Sequence, residues 1–225
     1  MQKKISDIKN KEQEYTTPYY KLVLIGENEV GKTQMLHRLN DENFEERYSP
    51  TFGVDFRVKS FFGEKGKLLY DLQILDIAGE TDDIHLKIEK DFINDASAFL
   101  CLFDISNVYS LDKAIKIMEQ YKSKIDTDVS KKKWFLIGNK KDLDVNGNGV
   151  PNYYKTKFDN YFEVSAKTST DQDFQKIIND ITAELNLSEK ENRFQNIDNS
   201  SSEEPFEIDF EKSHGKLFDE ECKIF

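Results

Sequence analysis

The eight residues Gly26–Thr33, GENEVGKT, constrain this 225-residue chain more than any other segment. They match the pattern GxxxxGK(S/T), follow the apolar run Tyr19–Ile25 and open a predicted helix over Lys32–Leu39. Such a turn points backbone N–H groups and a helix N-terminus at one place, where Lys32 adds a full positive charge. The segment therefore predicts a phosphate-binding loop in the first β-α unit of an α/β fold.

The rest of the sequence alternates predicted strands and helices. Apolar runs predict strands, and apolar residues three and four apart predict helices. Further strands are expected at Val54–Phe62, Lys67–Asp76, Ala98–Phe103, Lys133–Ile137 and Tyr161–Val164, a helix at Ser110–Ile125 with Ser110 as N-cap, and a last helix burying Phe174, Ile177, Ile178, Ile181 and Leu185. With a hairpin around Gly63–Gly66, this order predicts a six-stranded, mostly parallel sheet with helices on both faces.

Composition divides the chain into three parts. Residues 1–18 are polar and unpatterned, and we expect a flexible N-terminal extension. Residues 19–187 form one predicted domain, which is what the chain length allows. From Ser188 onward, 11 acidic residues face 5 basic ones, which predicts a disordered acidic tail over 188–225.

Net charge and cysteine content exclude some classes of protein. A net charge of -11 argues against a nucleic-acid partner, because binding that backbone needs an excess of lysine and arginine. Cys101 reads as a core residue, and two cysteines give no disulfide framework or metal cluster, which fits a reducing cytosol. We expect no signal peptide and no membrane span. Membrane contact would then need a covalent lipid or a partner.

A second motif narrows the ligand. A phosphate loop alone leaves ATPases, nucleotide kinases and GTPases open. Asn139-Lys140-Lys141-Asp142 follows a predicted strand, and the Asp142 carboxylate can accept hydrogen bonds from the N1–H and 2-amino groups of guanine. Adenine has no such pair of donors on that edge, so the motif favours a guanine nucleotide.

Two further motifs lie where predicted strands end. Asp76-Ile77-Ala78-Gly79 closes one strand, at the end where open α/β sheets bind ligands. Asp76 is expected to hold Mg²⁺ through water, Thr33 to supply a hydroxyl ligand, and the Gly79 N–H to meet a terminal phosphate. Ser165-Ala166-Lys167 follows the last strand, and the Ala166 N–H is expected to face guanine O6.

The order and spacing of these motifs resemble the small GTPases of the Ras superfamily, and the Rab branch most closely. Gly53-Val54-Asp55-Phe56 stands where Rab proteins carry GVDF, after Tyr48-Ser49-Pro50-Thr51-Phe52. The resemblance spans roughly residues 19–187 and implies a G domain of the P-loop NTPase class. It also implies a switch that binds GTP, GDP and Mg²⁺, hydrolyses GTP, and orders two loops, about 44–54 and 79–94, in the GTP state.

The resemblance assigns a role to each candidate site residue. Phe44 and the stem of Lys140 would flank the guanine base, and Thr51 would complete the Mg²⁺ coordination. The nucleotide-binding set is Glu29, Gly31, Lys32, Thr33, Gln34, Phe44, Thr51, Gly79, Asn139, Lys140, Asp142, Ser165, Ala166 and Lys167; the metal set is Thr33, Thr51 and Asp76; the catalytic set is Lys32, Thr51, Gly79 and Glu80.

Partners and location also follow from the resemblance. A monomer would meet effector proteins, an exchange factor, a GTPase-activating protein and a GDI-like carrier that shields a prenyl group, and would regulate vesicle traffic. Cys222-Lys223-Ile224-Phe225 fits a CaaX prenylation motif with Cys222 as the acceptor. A single lipid beside an acidic tail anchors weakly, so we expect reversible attachment to the cytosolic face of endomembranes.

The sequence departs from the family at the catalytic glutamine, which Glu80 replaces. An ionised carboxylate cannot donate a hydrogen bond to the developing charge on the γ-phosphate, so slow intrinsic hydrolysis is expected. Glu29 adds a second negative charge near the ligand.

The alternatives to a GTP-hydrolysing switch are a nucleotide-locked pseudo-GTPase scaffold and an ATP-using P-loop kinase. Asp144–Gly149 imitates a calcium loop, but Lys155 stands where that loop needs glutamate, so a hydrated turn is expected.

Overall fold

The computed structural model describes residues 19–47, 53–63, 68–77, 90, 92–145, 147 and 150–197. Six strands and four α-helices lie wholly within these ranges, and residues 90 and 92–94 are also helical. The strands are β1 (Tyr19–Gly26), β2 (Val54–Phe62), β3 (Leu68–Ile77), β4 (Ala98–Asp104), β5 (Lys133–Asn139) and β6 (Asn160–Glu163). The helices are α1 (Lys32–Leu39), α2 (Val108–Lys124), α3 (Asn152–Lys155) and α4 (Asp171–Ile197), with 3-10 turns at Val129–Lys131 and Lys141–Leu143.

The six strands form one sheet in the order β2-β3-β1-β4-β5-β6. Only the β2-β3 pair is antiparallel; β1 pairs in parallel with β3 and β4, and β4-β5 and β5-β6 are also parallel. The chain leaves β1 towards β2 and β3 on one side and returns as β4 on the other. That reversal places a crevice at the carboxyl ends of β1 and β4, where such sheets bind ligands.

The central strand β1 is apolar on both faces because each face is covered by helix. Leu22 and Leu24 belong to the core layer that contains α1 and α4, whereas Val23 and Ile25 belong to the layer that contains α2. All four side chains are buried. Continuous apolar runs of this kind are what a doubly covered parallel strand requires.

The predicted six-stranded, mostly parallel sheet with helices on both faces is confirmed, and the strand bounds agree to within about two residues. The predicted N-cap of α2 is wrong. Asn107 caps the helix, since its side chain accepts the Tyr109 N–H. The Ser110 hydroxyl instead donates to the carbonyls of Asn107 and Asp104, which fastens the start of α2 to the end of β4.

The last helix, α4, continues past Leu187 to Ile197, so the helix enters the segment that composition assigns to the tail. The domain boundary at 187 stays a prediction. The proposed N-terminal extension and residues 198–225 lie outside the described residues. Among the helices that the structure does describe, none is long and apolar enough to cross a membrane.

Candidate functional site

The candidate site lies at the edge where the parallel strands end. In the strand register Leu24 pairs with Asp76, and Asp104 pairs with Asn139. Gly26, which opens the phosphate loop, pairs with Leu102 of β4. Residues from distant parts of the sequence therefore meet at the crevice between β1 and β4.

The loop Gly26–Thr33 wraps around the ammonium group of Lys32. Lys32 Nζ donates to the carbonyl oxygens of Gly26 at 3.2 Å and Glu27 at 3.1 Å. Glu29 and Gly31 both adopt left-handed backbone, with φ of 65° and 93°. Alternating handedness of this kind turns successive N–H groups inward and makes a concavity for an anion. Glycine is required at 31, because a Cβ there would lie 2.4 Å from Asn139 Nδ2.

The electrostatics of the loop also fit an anion. Burial lowers the pKa of Lys32, and the charges of Asp76 and Glu27 oppose that shift without cancelling it. A buried ammonium is stabilised by a nearby negative charge. Thr33 Oγ1 donates to Asp76 Oδ2 at 2.5 Å, and Asp76 is 1% exposed. A hydroxyl and a carboxylate side by side are hard oxygen ligands of the kind that Mg²⁺ prefers, so these residues fit the ion.

Asn139 joins the phosphate loop to the base loop. Its side chain is buried, its Nδ2 donates to Val30 O at 2.9 Å, and its Oδ1 accepts the Ala166 N–H at 3.0 Å. The Ala166 N–H was expected to face guanine O6; in the structure it donates to Asn139. Asn139 thus fixes the distance between two loops that are far apart in sequence.

Asp142 follows Asn139 by three residues and is oriented by Ser165. Ser165 Oγ donates to Asp142 Oδ1 at 2.5 Å and accepts the N–H groups of Lys167 and Thr168 at 3.2 and 3.1 Å. The Asp142 side chain is otherwise exposed. A fixed and accessible carboxylate is what recognition of a donor pair on a purine requires.

Lys140 is held by a residue that the motifs did not identify. Its backbone is left-handed at φ 61°, and its Nζ lies 2.8 Å from Asp104 Oδ2. The other oxygen of Asp104 accepts the Ser106 N–H and hydroxyl at 2.9 and 2.6 Å. Burial raises the pKa of Asp104, but hydrogen bonds from Lys140 and Ser106 together outweigh it, so the pKa is lowered. Asp104 is the last residue of β4, just as Asp76 is the last but one of β3. An acidic residue at the carboxyl end of a parallel strand was the sequence signal that could have identified Asp104 as a site residue.

The segment that carries Phe44 is tied to the site from two sides. Gln34 Oε1 accepts the Glu45 N–H at 2.8 Å, and Lys167 Nζ lies 3.2 Å from Glu46 Oε1. Phe44 itself is half-buried. These contacts bring the segment next to the loop that contains Ser165 and Ala166.

The structure brings together most of the predicted nucleotide-binding residues, from Glu29 to Lys167. Four predicted site residues, Thr51, Gly79, Glu80 and Cys222, lie outside the described residues, and their roles stay predictions. Sequence reasoning missed Asp104 and also Lys113, whose Nζ forms an ion pair with Glu27 Oε1. No local motif marks Lys113, because the two residues are 86 positions apart.

The parallel sheet, the loop around Lys32 and the tied Asn139-Asp142-Ser165 set define a P-loop nucleotide-binding protein with a G domain. Residues 21–185 match the Ras family model, so the chain belongs to the Ras family of small GTPases. The prediction of a Rab-like member of the Ras superfamily is confirmed. This membership sets aside the ATP-using kinase.

Several curated relatives carry Rab names. Ras-related protein RabC of Dictyostelium discoideum is 29% identical over 175 residues, which cover 74% of this chain and 85% of RabC. Ras-related protein Rab-32D of the same organism is 35% identical over 160 residues, 68% of either chain. Ras-related protein RABE1e of Arabidopsis thaliana is 31% identical over 179 residues, 75% of this chain and 78% of RABE1e.

Proposed function

We propose that this chain is a GTP/GDP switch that regulates intracellular vesicle traffic. The observation that carries the nucleotide switch is the buried Asn139 side chain, which holds the phosphate loop through Val30 and the base loop through Ala166. The proposed role in vesicle traffic rests on the resemblance to Rab proteins. Because Asn139 holds the two loops together, a single ligand can contact both of them. A guanine nucleotide has the two ends that these loops fit.

Each part of the ligand has residues suited to it. Lys32 and the N–H groups of its loop would bind the phosphates, and Thr33 and Asp76 would hold Mg²⁺, which supplies charge neutralisation at the phosphates when bound. Asp142 would read the guanine edge, with Phe44 and the stem of Lys140 on the two faces of the base. Thr51 and Gly79 complete the proposed phosphate and metal contacts.

The proposed hydrolysis is slow because of Glu80. A glutamine at this position can accept a hydrogen bond from the attacking water and donate one towards the phosphate, whereas an ionised glutamate only accepts. The Glu80→Gln variant should raise single-turnover GTP hydrolysis by about tenfold. A variant no faster than the wild type contradicts this role.

The other proposed function, a nucleotide-locked scaffold without turnover, gains no support from the family match or the relatives. Both favour a switch that turns over.

The proposed partners are effectors, an exchange factor and a GTPase-activating protein, with a GDI-like carrier for a prenyl group on Cys222. Exchange of Cys222→Ser should release the protein from membranes into the soluble fraction of lysed cells, and unchanged fractionation would contradict the lipid anchor.

One experiment tests the nucleotide function directly. The full-length protein is purified, its bound nucleotide is identified by chromatography, and labelled GDP is then competed with GTP or ATP in Mg²⁺. We expect bound GDP or GTP, a strong preference for GTP over ATP and slow phosphate release. Equal competition by ATP would overturn the proposal, and bound GTP with no phosphate release would favour the scaffold.

A further inference from the structure

The phosphate loop of this chain carries two acidic side chains although its proposed ligand is an anion. Glu29 is exposed, but the Glu27 side chain is only 30% exposed. Glu27 follows Gly26 directly, and its backbone carbonyl accepts a hydrogen bond from Lys32 Nζ. Its carboxylate is also one of two whose charge acts on Lys32. A carboxylate in this place competes with phosphate oxygens for the lysine.

A cation from another element meets this carboxylate. Lys113 lies in α2, and its Nζ forms an ion pair with Glu27 Oε1. The start of α2 is fixed to the end of β4, because the Ser110 hydroxyl donates to the Asp104 carbonyl and accepts the Asp104 N–H at 2.9 Å. Strand β4 in turn pairs with Gly26, the first residue of the phosphate loop. Lys113 follows three residues later in the same helix, and its Nζ reaches the Glu27 carboxylate of the phosphate loop.

We infer that Lys113 is a positioning residue for the phosphate loop: it draws the Glu27 carboxylate towards α2, away from Lys32, and so sets how tightly the loop holds a nucleoside di- or triphosphate. This inference rests on the proposed nucleotide function. It assigns a role to two residues that the nucleotide-binding motifs do not include. The pair acts through charge at the phosphates and makes no contact with the base.

The size of the effect follows from the charges. The Lys113 side chain is 55% exposed, and an ion pair with one exposed partner contributes little to folding stability, so loss of Lys113 leaves the fold intact. Nucleotide binding responds more strongly, because an uncompensated carboxylate then lies in the loop that receives several phosphate charges. One unit charge several ångströms away, at a dielectric between protein and water, changes affinity by about tenfold.

The experiment measures dissociation of a fluorescent GDP from five full-length proteins in Mg²⁺: wild type, Lys113→Gln, Glu27→Gln, the double variant of these two, and the control Lys116→Gln. We expect Lys113→Gln to raise the dissociation rate by about tenfold, and the same change on the Glu27→Gln background to have no effect. Lys116→Gln, an exposed lysine on the same helix, is the matched control and should dissociate like the wild type.

Three results overturn the inference: no change with Lys113→Gln, an equal change on the Glu27→Gln background, or an equal change with Lys116→Gln. Each leaves the proposed nucleotide function standing if GTP still outcompetes ATP in the wild type. Wild-type protein that binds neither nucleotide would overturn both, so the two failures are distinguishable.

Discussion

The two halves of the site differ in the contact at their centre. In the base half, Asn139 is 2% exposed and makes neutral hydrogen bonds to Val30 and Ala166, while the charged Lys140–Asp104 pair lies in a more exposed position. In the phosphate half, the contacts are charged: Lys32 to loop carbonyls, Thr33 to the Asp76 carboxylate, and Lys113 to Glu27. Buried neutral bonds resist salt and pH, whereas charged contacts respond to both.

This difference teaches which half can act as the variable part of a switch. A base half fixed by buried bonds keeps its shape for GDP and GTP, which share the same base. A phosphate half held by charges changes its balance when one phosphate is added or removed. The following changes test that division, from the largest expected effect to the smallest.

The Asn139→Ala variant should show the largest effect. It leaves the buried Val30 carbonyl and Ala166 N–H without their partner, which costs about 3 kcal/mol of unfolding free energy. With both loops released, GDP affinity should fall by about a thousandfold. Urea unfolding and GDP titration measure the two effects. Exposed Asn152→Ala is the control, and a near-normal Asn139→Ala variant would break the comparison.

The Asp142→Asn variant should lower GTP affinity by about a hundredfold, because an amide cannot accept two hydrogen bonds from the guanine edge as the carboxylate does. Xanthosine triphosphate, with an oxygen at position 2, should bind the variant better than GTP does. Competition between GTP and xanthosine triphosphate measures this change in base preference, and the nearby Asp144→Asn variant is the control. If the variant lost affinity for both nucleotides equally, the base half and the phosphate half of the site would not act separately.

The Asp104→Asn variant should speed GDP dissociation by about tenfold, since Lys140 loses its charged partner while Ser106 keeps an acceptor. A double-mutant cycle with Lys140→Met isolates the coupling, which we expect to be about 1 kcal/mol. Because the pKa of Asp104 is lowered, this coupling should be intact at neutral pH and lost only as the pH falls through that lowered pKa. Additive effects would contradict the role.

The smallest effect is expected at Glu42, two residues before Phe44. Arg57 Nε donates to Glu42 Oε1 at 2.7 Å, and this hydrogen bond is the main cause that lowers the pKa of Glu42. A lowered carboxyl pKa adds stability above the ordinary glutamate value and loses it as the pH falls through the lowered one. Glu42→Gln should therefore cost about 0.5 kcal/mol at pH 7, after discounting for exposure, and nothing in strong acid.

Thermal unfolding across pH checks this last prediction, with Glu119→Gln as a control for removing one negative charge from a surface ion pair. A Glu42→Gln variant whose deficit persists in strong acid would point to lost packing instead of lost charge.

Much of the fold was predictable because its determinants are local. The apolar run Tyr19–Ile25 and the glycine-lysine turn after it are one β-α unit in the sequence and in the structure. The start of α2 was less predictable: Ser110 and Asn107 are both good caps, and the choice depended on Asp104, which draws the Ser110 hydroxyl to β4. Propensity alone cannot decide between two caps three residues apart.

The sequence by itself determined the succession of strands and helices along the chain, the phosphate loop, the guanine motif and membership of the Ras family. Each of these depends on residues close together in the chain. Only the tertiary structure decided that Asn139 joins the two loops, that Asp104 holds Lys140 and that Lys113 meets Glu27. These contacts join residues tens of positions apart. They exist because the sheet order places β1, β4 and β5 side by side, and spacing in the sequence does not record that neighbourhood.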